Sequence, residues 1–271
     1  MTGDDLTNRS FETLRVTRAG PLVEVTLHRP DARNALNATL MRELTEFARM
    51  VRRRADVLAV ILAGGEAYFS AGADLRAIEE RITAPTVLAT REAIMAGPDL
   101  CHAWEEIEAI TLAAIEGYCL GGACALALAC DFRLMGDGAY LRLPEVPLGI
   151  NMSWNSVPRV TTLAGPSRAK RFVIFGEPAD AATCLAWGLA DEVVATGQAL
   201  AVARQWAEKV CALPPLPVRM TKEAVNAQAN LNHHATSFMD RDQYLVTTRT
   251  EDFREGRLAF FEKRKPAFRG D

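Results

Sequence analysis

Several signatures that would assign a chemistry at once are missing from this chain. There is no G-x-S-x-G turn, so the strained serine of a hydrolase elbow has no place to sit. No glycine loop is followed by Lys-Ser or Lys-Thr, and Gly136-Asp-Gly138 lacks the third glycine of a dinucleotide fingerprint, which leaves nucleotide phosphate binding unsupported. The four histidines, His28, His102, His233 and His234, have no metal-ligand spacing, and no two of the six cysteines form C-x-x-C, so no metal site is expected. No apolar run approaches the ~20 residues of a membrane span. The first ten residues are polar, carry Asp4 and Asp5, and lack the apolar stretch of a secretory signal. An excess of either charge is also absent: 31 basic residues stand against 34 acidic ones, a net charge of −3, and no nucleic-acid partner is expected. A chain of 271 residues can bury an ordinary core without staples, and four of the cysteines lie in apolar stretches. These thiols read as reduced and structural, in a cytoplasmic protein.

What is present is an alternation of strand and helix patterns. Leu14 to Leu27 alternates apolar and polar residues on both sides of Gly20-Pro21, a hairpin pattern. Ala38 to Arg54 carries Leu40, Met41, Leu44, Phe47, Ala48 and Val51 at helical spacing, with Asn37 as N-cap. Val57–Leu62, Leu112–Ile115 and Phe132–Met135 read as short buried strands, and the first ~190 residues therefore read as an α/β core. From Gly197 onward only helical patterns occur, at 198–212, 218–230 and 234–250, before a charged end at 253–264, with Pro214-Pro215 separating the first two. The expected division is a core over residues 11–195 and a helical region over residues 196–271.

Three segments have the residue types that chemistry needs. Phe69-Ser-Ala-Gly-Ala-Asp-Leu75 follows a strand and leads toward a helical pattern at Leu75–Ile82; Gly117-Tyr-Cys-Leu-Gly-Gly-Ala-Cys124 lies between a strand and an apolar helix. Small residues at strand-to-helix turns leave backbone N–H groups approachable, although such turns also serve tight packing. Two of them in one core could supply the paired donors of an oxyanion hole. In Leu143-Pro-Glu-Val-Pro-Leu-Gly-Ile150 the carboxylate of Glu145 is surrounded by apolar residues. Desolvation there would raise its pKa toward the range of a general base; the alternative is a loop glutamate facing water.

Taken in order, these segments resemble the crotonase (enoyl-CoA hydratase/isomerase) superfamily. The match starts at His28-Arg-Pro-Asp-Ala-Arg-Asn-Ala-Leu36 and runs through Phe69–Leu75, Glu116–Asp131, Leu143–Ile150 and Gly188–Val194 to Glu255–Pro266, nearly the whole chain. The resemblance implies an α/β spiral of stacked ββα turns whose C-terminal helices cover the site and build a homotrimer or a dimer of trimers. It implies an acyl-CoA thioester as substrate, with coenzyme A belonging to that substrate and no separate cofactor. By position it makes the N–H groups of Ala73 and Gly122 the oxyanion donors and Glu145 the acid/base. It lays Ala32, Arg33, Ala71, Asp74 and Leu75 along the CoA path, with Phe260 and Lys263 reaching CoA from the C-terminal helix, often that of a neighbouring subunit. Arg29, Arg33 and Lys263 are the candidate partners of the CoA phosphates.

The departures from the pattern are informative. Hydratases of this family position one water between two glutamates; one position matches Glu145 and the other is Ala125 here. The glycine pair that follows their second glutamate is replaced by Asn151-Met-Ser-Trp-Asn-Ser156. A single carboxylate suits movement of a double bond, which needs no water, and the resemblance is therefore to the family's enoyl-CoA isomerases. Hydration, another acyl-CoA reaction using Asn151, Asn155, Glu116 or His102, and a non-catalytic acyl-CoA-binding module stay open. Met95, Leu100, Trp104, Met152 and Trp154 are candidate walls of an acyl pocket or plain core.

Overall fold

The structure is a computed structural model that describes residues 5–74 and 86–271. Strands β1 (Leu14–Ala19) and β2 (Leu22–Leu27) form the expected hairpin, with Leu14 opposite Leu27. β3 (Ala59–Ala63) and β4 (Ile110–Ile115) are buried at every residue. That is why they read as continuous apolar runs: both are parallel strands covered on two faces. β5 spans Tyr118–Leu120, β6 Phe132–Gly136, β7 Tyr140–Arg142, β8 Ala179–Asp180 and β9 Glu192–Val194. Among the described residues, one sheet runs β1-β2-β3-β4-β6-β9, parallel from β2 onward, and a smaller one runs β5-β7-β8. The β4–β5 and β6–β7 pairs each give a strand to the first sheet and then a short one to the second. An isolated parallel bridge between Ser70 and Cys119 adds the segment after β3 to the second layer. The stacked turns implied by the resemblance are those of this α/β spiral.

One side of the large sheet packs on the helices Ala38–Val51, Ala96–Glu105 and Gly122–Leu128, with Leu40, Leu44, Phe47, Leu100 and Trp104 fully buried. Asn37 caps the first of these, its side chain accepting Leu40 N–H at 2.9 Å. The other side is covered by the helix Ala199–Cys211, whose Ala199, Ala203 and Ala207 lie on Ala59, Ile61, Leu112 and Leu134. Alanine at every fourth position gives that helix a smooth stripe on which the sheet can sit closely. The helical pattern at 234–250 is in fact two helices, His233–Ser237 and Asp240–Thr247. The break precedes Asp240, a buried residue whose carboxylate accepts Asn155 N–H at 3.0 Å. The charged end forms a further helix, Glu251–Glu262, with Thr250 Oγ1 accepting Phe253 N–H at its start. None of the described helices is long and apolar enough to cross a membrane.

The helix Pro215–Ala229 is fastened to the sheet by Lys222, whose Nζ reaches Asp131 at 2.6 Å and the Ala109 carbonyl at 2.8 Å. Its side chain is 5% exposed. Removing one partner of a buried pair strands the other, so Lys222→Met should lower unfolding free energy by about 3 kcal/mol. Urea titration checks this; a midpoint equal to the parent's would show that the pair contributes nothing.

Candidate active site

The site is assembled by backbone pairing between two loops. Leu120 N–H donates to Ser70 O at 3.1 Å, and Phe69 and Ser70 N–H both donate to Tyr118 O at 3.1 Å. On the other side, Leu36 N–H donates to Gly72 O at 2.7 Å and Asp74 N–H to Leu36 O at 3.1 Å. The segment Ser70–Asp74 is thereby held between residues 34–36 and β5. Ser70 Oγ reinforces it, donating to Asn34 O and accepting Gly72 N–H. Gly72 has φ +86, and a Cβ there would stand 2.6 Å from Leu120 O, so only glycine lets the loops approach this closely.

This pairing brings Ala73 and Gly122 to the same end of two neighbouring parallel segments. Among the described residues neither N–H has an acceptor in the chain. Gly122 is the first residue of its helix, where N–H groups have no intrahelical partner. Two unpaired donors on adjacent rigid segments are suited to an oxygen that gains negative charge.

Glu145 stands against Gly121, the residue before the second of these donors. It precedes the 3-10 turn Val146–Leu148, and its carbonyl accepts Leu148 and Ile150 N–H. Its Oε1 lies so close to Gly121 that a Cβ on that glycine would be 2.7 Å away. Gly121, at φ +50, turns the chain from β5 into the helix at this point of contact. Parts of the Glu145 residue face solvent, but its Oε2 is buried and has no hydrogen-bond partner. Burial pushes the carboxyl up to about 7, against the downward pull of a backbone hydrogen bond and the Arg142 charge. The C-terminal helix closes over this turn: a Cβ on Gly256 would be 2.5 Å from Leu148 O, and one on Gly149 2.7 Å from Asp252 O.

The remaining candidates divide into two groups. Ala32 ends the 3-10 turn Pro30–Ala32; Arg33 follows at φ 51, and its carbonyl accepts Ala71 N–H at 3.0 Å. The Arg29 guanidinium bonds the Ala35 carbonyl and meets Asp74 at 3.2 Å. Ala32, Arg33, Ala71 and Asp74 thus share one patch beside Ala73, and Arg29 helps hold that patch together. Leu75, and the helical pattern 75–82 that it opens, lie outside the described residues. Phe260 and Lys263 are exposed on or just after the helix Glu251–Glu262, and among the described residues no hydrogen bond or ion pair joins them to that patch.

The alternative polar groups are only partly engaged. Glu116 Oε1 accepts Ala199 N–H at the start of the outer helix while its buried Oε2 has no partner, the Asn151 amide donates to Gln243, and Asp240 holds the backbone N–H of Asn155 rather than its side chain. His102 is largely exposed, 3.6 Å from Glu106. Leu100 and Trp104 belong to the core, Trp104 Nε1 donating to Leu44 O. Ala125, where a second carboxylate would stand, is completely buried in the Gly122–Leu128 helix. Two site features escaped the sequence reading: Gly97, which packs on Trp154, and the Arg159–Glu105 ion pair behind it. Neither is marked by a motif, because each acts through a partner far away in sequence.

A spiral α/β fold with paired backbone donors and one buried carboxylate defines a crotonase-type protein. The sequence model of the Enoyl-CoA hydratase/isomerase family matches residues 17–271, and the chain belongs to that family. It is 35% identical over 263 residues to a "Probable enoyl-CoA hydratase" of Rhizobium meliloti, covering 96% of this chain and 99% of that one. It is 33% identical to the 2,3-dehydroadipyl-CoA hydratase of Escherichia coli, with 95% and 98% covered. Among solved structures it superposes on an enoyl-CoA hydratase from Mycobacterium avium subsp. paratuberculosis with a TM-score of 0.85 at 25% identity, covering 96% of this chain and all of that one. An enoyl-CoA hydratase from Bacillus anthracis gives 0.76 at 31% identity, with the same coverage.

Proposed function

We propose that this chain isomerises 3-enoyl-CoA to 2-enoyl-CoA thioesters. The observation that carries the reading is Glu145, a buried carboxylate with an unpartnered oxygen beside Gly121, while the position of a second carboxylate is the buried Ala125. Glu145 takes a proton from C2, and the electron pair passes into the thioester carbonyl, whose oxygen is held by Ala73 and Gly122 N–H. Each such donor contributes about 3 kcal/mol to the enolate. The electrons return through C2–C3 as C4 takes the proton back from Glu145, so the double bond moves by one position and nothing is consumed. Ala32, Arg33, Ala71, Asp74 and Leu75 would line the path of the CoA moiety. Phe260 and Lys263, exposed on the C-terminal segment, would meet CoA bound to a neighbouring subunit of a homotrimer or dimer of trimers. No metal or separate cofactor has a part in this chemistry.

Hydration is the second reading, favoured by the names of the relatives. Separating the products formed from 3-hexenoyl-CoA and from 2-hexenoyl-CoA distinguishes the two. The expected result is 2-hexenoyl-CoA from the first and no 3-hydroxyacyl-CoA from the second. Rapid formation of the hydroxy product would overturn the isomerase reading and show that one carboxylate suffices to activate water in this site.

A further inference from the structure

Behind the oxyanion turn lies a side chain that the reaction itself does not use. The Trp154 indole is wedged between two glycines. A Cβ on Gly122 would stand 2.5 Å from its Cη2, and a Cβ on Gly97, in the helix Ala96–Glu105, would overlap the other end of the ring. Trp154 is 6% exposed. A ring serving only as core filling packs against apolar side chains; this one also packs against the bare backbone of Gly122, whose N–H the proposed reaction uses as an oxyanion donor.

Its backbone is held at some expense. Trp154 and Asn155 are consecutive non-glycine residues at φ 63 and 54. Left-handed backbone costs about 1–2 kcal/mol for each such residue and persists where its surroundings over-determine it. Here Asp240 accepts Asn155 N–H at 3.0 Å, and Arg159 Nη1 donates to the Trp154 and Asn155 carbonyls at 3.1 and 3.2 Å. Arg159 is itself buried and paired with Glu105, which also receives the Asn230 amide. Asp240 and Arg159 therefore fix the backbone that carries the indole, and Gly97 packs against the ring.

We propose that Trp154 limits the length of the acyl group, its indole closing the pocket beside Gly122; the proposal rests on the acyl-CoA reading above. An acyl chain whose carbonyl oxygen sits on Gly122 N–H leaves that carbonyl within reach of whatever covers Gly122. A rigid indole there turns away or stops a long chain and leaves room for a short one. Each buried methylene raises affinity by about fourfold, so a pocket that cannot admit the distal carbons forfeits a large preference for long chains.

The test is calorimetric titration of the full chain with butyryl-CoA and decanoyl-CoA, saturated esters that need no turnover. Trp154→Gly removes the ring and accepts the left-handed backbone without strain. Trp154→Phe keeps most of the packing and supplies the measurement if the glycine variant does not fold. The parent should bind the two esters with similar affinity or favour butyryl-CoA. Trp154→Gly should raise the decanoyl-to-butyryl affinity ratio by about tenfold or more, and Trp154→Phe by a smaller factor. A ratio unchanged in the folded variants, or a parent that already favours decanoyl-CoA strongly, overturns the wall and leaves the acyl-CoA reading intact. Failure of the parent to bind either ester overturns both.

Discussion

Glu145→Gln should lower isomerase turnover by about 10²–10⁴-fold, the usual contribution of a positioned acid/base. Binding of a saturated acyl-CoA should change little, because the amide has the carboxyl's shape and the oxyanion donors are backbone groups. The same variant should be more stable than the parent at pH 8. A carboxyl raised from 4.5 to about 7 by burial has its charged form disfavoured in the folded state. That penalty is absent below pH 4.5, grows between pH 4.5 and 7, and is complete above. A shift of this size is on the order of 3 kcal/mol. The glutamine amide inherits Oε2's lack of a partner and keeps part of the cost, so the expected gain is about 1–2 kcal/mol. Thermal denaturation at pH 8 and pH 4 reads it: the variant gains at the first and not at the second. The parent's kcat/KM should rise with pH through a single ionisation near 7 and level off above it, since only the carboxylate can accept the C2 proton. A flat profile between pH 5.5 and 8.5, or full turnover by the variant, would remove Glu145 from the reaction.

The sequence was most readable where one segment carries its own signal. The hairpin at Leu14–Leu27, the Asn37-capped helix and the apolar runs of β3, β4 and β6 are local patterns, and each has a counterpart in the structure. The short strands β5, β7 and β8 have two or three residues each, too few for a periodic signal, and they exist because the second layer pairs them. The raised carboxyl of Glu145 was one of two readings its apolar neighbours in sequence left open, the other being a loop glutamate facing water. That its oxygen would lie on Gly121 depends on β5 and β7 pairing in register, with Leu120 opposite Arg142. The split of the 234–250 helix was illegible for a related reason: Asp240 is turned inward to meet Asn155, a partner 85 positions earlier in the chain. Trp154 carried the weakest signal, because a large apolar residue gives no hint of whether it faces core or site until the glycines on either side of it are known.

Gly122→Ala should reduce turnover by about 10²-fold in the parent, although the donor N–H is itself retained. Its Cβ would stand 2.5 and 2.7 Å from Trp154 Cη2 and Cζ3, and something must move. The indole cannot retreat, because Gly97 backs it and Asp240 and Arg159 hold its backbone. The displacement therefore falls on Gly122, and its N–H leaves the alignment with Ala73 that an enolate oxygen requires. The same substitution in a Trp154→Gly background loses the three ring atoms that crowd it and should cost only a few-fold, because a helix accepts alanine readily. Stability should follow the same logic: overpacking of about 1–3 kcal/mol in the parent, largely relieved when the ring is gone. The coupling between the two sites, read from kcat/KM across the four proteins, is the decisive quantity. Residues in contact couple by about 0.5–3 kcal/mol, whereas independent sites add. Additive effects would mean that the indole does not bear on the oxyanion turn, and that the strained, clamped backbone at Trp154–Asn155 serves packing alone.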